Sequence, residues 1–146
     1  GFSNQQAVSM EKLGISKFLQ ASFKTEFDSS LPEFLKNTPK TLIEFRALRQ
    51  KTAALDKDQK QEFQKQEALT SLEMKSWWID KMRNDKFPLR EKMTLFLHNH
   101  FVSTSQKVKI NYWIYQHNMI LRENAFGNFK ELTKKIVKSK PLPSTD

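Results

Sequence analysis

The chain has 146 residues, a formal net charge of +9 and no cysteine. This length suits one domain with a core of its own, and the lack of cysteine excludes disulfides and thiolate metal ligands without fixing a compartment. No run approaches the roughly 18 apolar residues that span a bilayer, and the N-terminus lacks a basic stretch followed by an apolar one.

Twelve phenylalanines and three tryptophans supply buried area to offset ordering entropy, while three glycines and few β-branched runs argue against strands. The expected class is all-α, an irregular bundle of about six to seven helices. Ser3-Asn4-Gln5-Gln6 has the form of a capping box, which predicts a helix over residues 4–13. Gly14 can take the left-handed conformation that ends it, and a second helix follows over 16–23, with Phe18, Leu19 and Phe23 on one side. Residues 24–30 read as a connection. Pro32 suits a first helical turn and opens a brief helix with Phe34 and Leu35, stopped near Thr38-Pro39.

Leu42, Phe45 and Leu48 recur at helical spacing over 40–50. Residues 51–66 form a polar, variable segment rich in Lys, Gln, Asp and Glu, either a loop or the solvated start of a helix. Asp56 is a fair N-cap, and the absence of Gly or Pro before Pro88 permits one long helix over 57–84. Leu69, Leu72, Trp77, Trp78, Ile79 and Met82 make its second half the part able to pack deeply. Adjacent tryptophans point about 100° apart, so one can enter the core while the other covers a helix junction.

Pro88 opens the next helix, which ends near Phe101, and residues 102–109 read as a polar connection. A helix over 111–126, stopped at Gly127, has apolar residues in several directions, as expected of one surrounded by protein. It is either the central helix or packs partly on something outside this chain. Asn128 is a good N-cap for a last helix to about 138, and 139–146 reads as a frayed tail containing Pro141 and Pro143.

Candidate chemistry concentrates in residues 90–101. At about 100° per residue, Leu89, Met93, Phe96, Leu97 and Phe101 share an arc with His100 in its middle, and Glu91, Thr94 and His98 fall on a more polar side. The two histidines therefore do not share a face, and an i, i+2 pair cannot chelate one metal from a regular helix. His100 is expected to be a buried imidazole satisfied by a carbonyl or carboxylate, a catalytic or ligand role being the alternative. His98 is expected beside Glu91, as a hydrogen-bonded pair or as an oriented acid/base. The catalytic candidates are Glu91, His98, His100 and Arg90; the weaker metal candidates are His98, His100 and His117, which would have to converge with a carboxylate. The residues leave any cofactor unknown.

The positive charge is scattered, with a local excess only at Lys130, Lys134, Lys135, Lys138 and Lys140, which reads as a solvated helix face. That pattern argues against a nucleic-acid partner and leaves at most a weak anionic-polymer or surface binder.

Arg90-Glu91-Lys92-Met93-Thr94-Leu95-Phe96-Leu97-His98-Asn99-His100-Phe101 and Leu121-Arg122-Glu123-Asn124-Ala125-Phe126-Gly127-Asn128-Phe129 strongly resemble the N-terminal part of the domain-of-unknown-function 1800 (DUF1800) family of bacterial proteins. Its members typically read R-E-K-M-T-L-F-W-H-N-H-F and then N-Q-L-L-R-x-N-A-L-G-N-F. Trp77-Trp78-Ile79-Asp80-Lys81-Met82 is similar to the family's W-W-L-x-x-M segment, and Gly1-Phe2-Ser3 and Lys12-Leu13-Gly14-Ile15 to its opening pieces. Leu97 stands where tryptophan is usual, Met119-Ile120 replace Gln-Leu, and Phe126 replaces a leucine.

The resemblance implies a longer family protein whose carboxylate-rich N-E-N-x-A-R-E-L motif has no counterpart in this chain. It also implies an exported, extracytoplasmic location. Three functions follow as expectations: a scaffold or interaction region, partnered by the C-terminal part of the same protein or by further copies; part of a metal-assisted or hydrolase-like enzyme completed elsewhere; or the weak anionic-surface binder. No activity is implied by the family itself.

Overall fold

Four of the seven described α-helices begin where an adjoining side chain satisfies a first-turn amide. In the computed structural model, which describes residues 3–26, 28–101 and 110–139, Ser3 and Gln6 form the reciprocal capping box of α1, Asn4–Leu13. The same Gln6 donates from Nε2 to the Asp85 carbonyl at 2.6 Å, which ties α1 to the residue that ends the long helix. Gly14 closes α1 and opens α2, Ile15–Lys24, at φ +75° and ψ 152°. That backbone region lies beyond the left-handed helical well expected there, and only glycine visits it without strain.

A 3₁₀ turn, Glu33–Leu35, is the brief helix expected after Pro32. Thr41 then caps α3, Leu42–Ala53, and an Asp56–Gln59 capping box starts α4, Lys57–Asn84. The polar segment 51–66 is therefore no loop: it finishes α3, turns at 54–56 and continues into α4. Three more helices follow, α5 (Leu89–His100), α6 (Asn111–Glu123) and α7 (Phe129–Lys138). The Asn128 side chain accepts from the amides of Lys130 and Glu131 to cap α7. α6 stops three residues earlier than expected, residues 124–126 forming a turn before Gly127. The expected connection 102–109 and the tail from 140 onward lie outside the described residues.

Among the described residues the fold is thus all-α, with seven α-helices and no strand. α6 is the hub, packed against α4, α5 and α7. Its Tyr115 joins Leu35 and Met74 in one core cluster, and its Leu121 joins Leu97 and Leu132 in a second. A helix enclosed by three others needs apolar groups in three directions, which accounts for its sequence. Tyr115 also donates its hydroxyl to the Ser30 carbonyl at 2.9 Å, fastening the segment after α2 to the hub. Trp113 does the same for α3, donating from Nε1 to the Lys40 carbonyl at 3.1 Å.

The orientation of α5 departs from its hydrophobic arc. Its buried residues are Glu91, Thr94 and Leu97, whereas Phe96 is 62% exposed and His100 is exposed. The expectation of a buried His100 is corrected: its ring lies on the surface, edge-on to Phe101 and Phe129 at centroid distances of 5.1 and 5.7 Å. The more polar side turns inward at Glu91 and Thr94, both of which find a partner there. Thr94 donates to the Arg90 carbonyl at 2.8 Å, and Glu91 meets a cation from α6.

Candidate functional site

Arg122, near the end of α6, is 1% exposed and donates from Nη2 to Glu91 Oε2 at 2.8 Å. Its guanidinium also lies 4.9 Å from the centroid of the Trp77 ring, where the aromatic face favours a planar cation. Arg90 completes the junction: Nη1 donates to the Arg122 carbonyl at 3.0 Å and Nη2 to the Thr25 carbonyl at 2.9 Å, joining α5 to the ends of α6 and α2. Its guanidinium sits 4.9 Å from the Phe126 ring centroid. Burial lowers the Arg90 pKa and the charges of Glu91 and Asp85 oppose that, so the side chain remains a cation.

A cleft of 390 Å³ opens above this junction, lined also by Asp28, Asp80, Lys81 and Asp85. Hydrogen bonds from Ser30 hold Asp28 well below the usual carboxylate range, and Lys81, 3.0 Å away, adds to the effect. The cleft thus has carboxylates and cations mixed on its walls, Glu26, Asp28, Asp80, Asp85 and Glu91 among Lys81, Arg90 and Arg122. Among the described residues no three His, Asp or Glu side chains are placed to hold a metal ion.

His98 does not pair with Glu91, whose carboxylate is taken by Arg122. Its ring is edge-on to Trp78 at 5.0 Å and 5.9 Å from the ring of His117. His117 donates Nε2–H to the Phe101 carbonyl at 3.0 Å, an acceptor-only partner that fixes its tautomer. The structure therefore brings Arg90 and Glu91 together at one junction and His98 and His117 together at another, and leaves His100 apart on the surface. The sequence reading does not identify Arg122 as the partner of Glu91. The available signal is a cation on a helix apolar in several directions, which burial would force to find an acid.

Burial lowers the pKa of both His98 and His117; His117 adds to the shift at His98, and the Phe101 carbonyl partly offsets it at His117. Both imidazoles are then neutral at pH 7. Because the unfolded chain takes up these protons first, the folded state loses stability as pH falls below 6.5, the ordinary histidine value. The melting temperature is expected to drop between pH 7 and pH 5, and His117→Gln, which keeps a donor for Phe101, should flatten that slope. A parent protein with the same melting temperature at both pH values would contradict this assignment.

The fold and site define an all-α protein locked by a buried arginine–glutamate junction between two helices that carry its most distinctive motifs. The chain belongs to the family described as "Protein of unknown function (DUF1800)", whose model matches residues 1–142. No curated protein and no solved structure matches it.

Proposed function

We propose that this chain is a scaffold or interaction region, which presents helix faces to another polypeptide surface. One observation carries the reading. On α4 the residues that pack inward include Met74, Trp77 and Trp78, while Leu69, Leu72 and Ile79 line the opposite side, Leu72 and Ile79 being 58% and 59% exposed. A helix with an apolar stripe on its outer face has a surface that water wets poorly and a second protein surface would cover. The groups with chemical potential support the same reading, since the polar ends of Glu91 and Arg122 are bound to each other and Arg90 holds two backbone carbonyls.

The partner chemistry is a complementary apolar helix face, supplied by another part of a longer family protein or by a second copy. The extracytoplasmic location that the resemblance implies goes with this reading. Light scattering after size exclusion tests it: the 146-residue chain is expected to self-associate at micromolar concentrations, and Leu72→Lys with Ile79→Lys should return it to monomer without loss of helicity. A parent that stays monomeric across that range, indistinguishable from the double variant, would remove the proposal.

A further inference from the structure

α3 and the first half of α4 meet at the turn 54–56 and hold a groove of 490 Å³ between them, to which the start of α6 contributes Ile110 and Asn111. Small-molecule sites have volumes of about 300–1,000 Å³. The apolar walls are Pro39, Phe45, Leu48, Ala53, Phe63 and Ile110. α3 buries none of its residues fully, and Phe45, Leu48 and Phe63 are half-buried, so these walls stand open rather than packed shut.

The charged groups of the groove are sorted by sign. Arg49 stands near the end of α3 and Lys60 near the start of α4, both within roughly 6 Å of the turn along their helix axes. Glu67 lies two helical turns beyond Lys60 on the same face of α4, about 10 Å along the axis. It is one turn before Ser71, whose hydroxyl donates to Asn111 Oδ1 of α6 at 2.9 Å. The groove is therefore cationic beside the turn and acidic where it meets α6. Burial lifts the Glu67 pKa, and no described cation holds it down.

We propose that the groove is a binding site for a short apolar peptide with free ends, its terminal carboxylate at Arg49 and Lys60 and its terminal ammonium at Glu67. The spacing selects the length. An extended residue spans about 3.3–3.6 Å, so three residues set the two terminal charges about 10 Å apart. Volume agrees: with about 150 Å³ for a benzene molecule, 490 Å³ holds roughly 20 heavy atoms, the size of a tripeptide such as Ala-Phe-Ala. Gln64, between Lys60 and Glu67, has an amide that can donate to and accept from the peptide groups. The hydroxyls of Thr38 and Thr52 donate to the Leu35 and Arg49 carbonyls and keep lone pairs for peptide N–H groups. An amphiphilic anion would satisfy the turn end but bury Glu67 further against hydrocarbon, and a simple amine would leave both cations unanswered.

Calorimetric titration of the 146-residue chain tests this with Ala-Phe-Ala in free, N-acetylated, C-amidated and doubly blocked forms. The free tripeptide is expected to bind saturably. Acetylation removes the charge that meets half-buried Glu67 and should weaken binding by roughly tenfold. Amidation removes the charge that meets the exposed Arg49 and Lys60 and should weaken it by roughly threefold. In Glu67→Gln the free and acetylated peptides should bind alike, and in Arg49→Gln with Lys60→Gln the free and amidated ones should bind alike. Each comparison is made within one variant, so an altered stability of that variant does not enter it. Absence of saturation with the free tripeptide up to about 10 mM would overturn the proposal. So would equal binding of the doubly blocked form, the behaviour of a seat for an internal protein segment, or a Glu67→Gln variant that still prefers the free peptide to the acetylated one.

Discussion

Arg122→Ala should lower the unfolding free energy by about 3–5 kcal/mol, the range for breaking a buried ion pair from one side. Both partners are almost wholly enclosed, with side-chain exposures of 1% for Arg122 and 5% for Glu91, so solvent screening does little to soften the loss. The truncation leaves a carboxylate without its cation and bares the face of Trp77. Glu91→Ala should cost a similar amount by stranding the guanidinium. The double variant Glu91→Met with Arg122→Met should recover part of the loss, because removing both charges also removes the cost of burying them. Urea denaturation of the three proteins measures this. A loss below about 1 kcal/mol in either alanine variant would mean that the pair is solvated and does not lock α5 to α6.

Leu121→Ala should cost about 2–5 kcal/mol, where the upper part of the range requires that the surroundings do not collapse into the cavity. Leu121 is 0% exposed and sits between Leu97 of α5 and Leu132 of α7, three helices that cannot all close on the same void. Ile43→Ala is the control: its side chain is 79% exposed, and the change should stay within about 0.5 kcal/mol. If the two substitutions gave equal losses by denaturant titration, the α5–α6–α7 cluster would not be a core.

Helix beginnings were legible in the sequence because they are local events. Ser3 with Gln6, Asp56 with Gln59, and Asn128 each reach an amide two or three residues away, so the residues that set the boundary lie beside it. Helix ends were less so. α6 unwinds at Asn124 rather than at Gly127, and Asn124 donates its side-chain amide to the Ile120 carbonyl at 2.7 Å, a competing local bond that ends the helix without a glycine. The polar stretch before Glu67 did not hide α4, because Asp56 marks its start and a helix can be solvated along its first turns and still propagate from a good cap.

For the candidate site, sequence periodicity separated His98 from His100 but chose the wrong one to bury. The apolar arc of α5 holds Phe96 and His100, and hydrophobicity alone turns it inward. In the folded chain Arg122, from a helix 31 residues away, supplies the charge that lets Glu91 enter the interior. Nothing within residues 90–101 carries that information.

By itself, the sequence determined the all-α class, the capped starts of α1, α4 and α7, the several apolar faces of α6 and the membership of a family through two long motifs. These follow from interactions within a few residues or from the periodicity of one helix. Tertiary structure alone decided which face of α5 is buried and that Glu91 belongs to Arg122 rather than to His98. The physical reason is the same in each case. The burial of a polar group is set by whether a partner from another helix arrives to satisfy it, and that arrival is a property of packing rather than of the group's own neighbours in the chain.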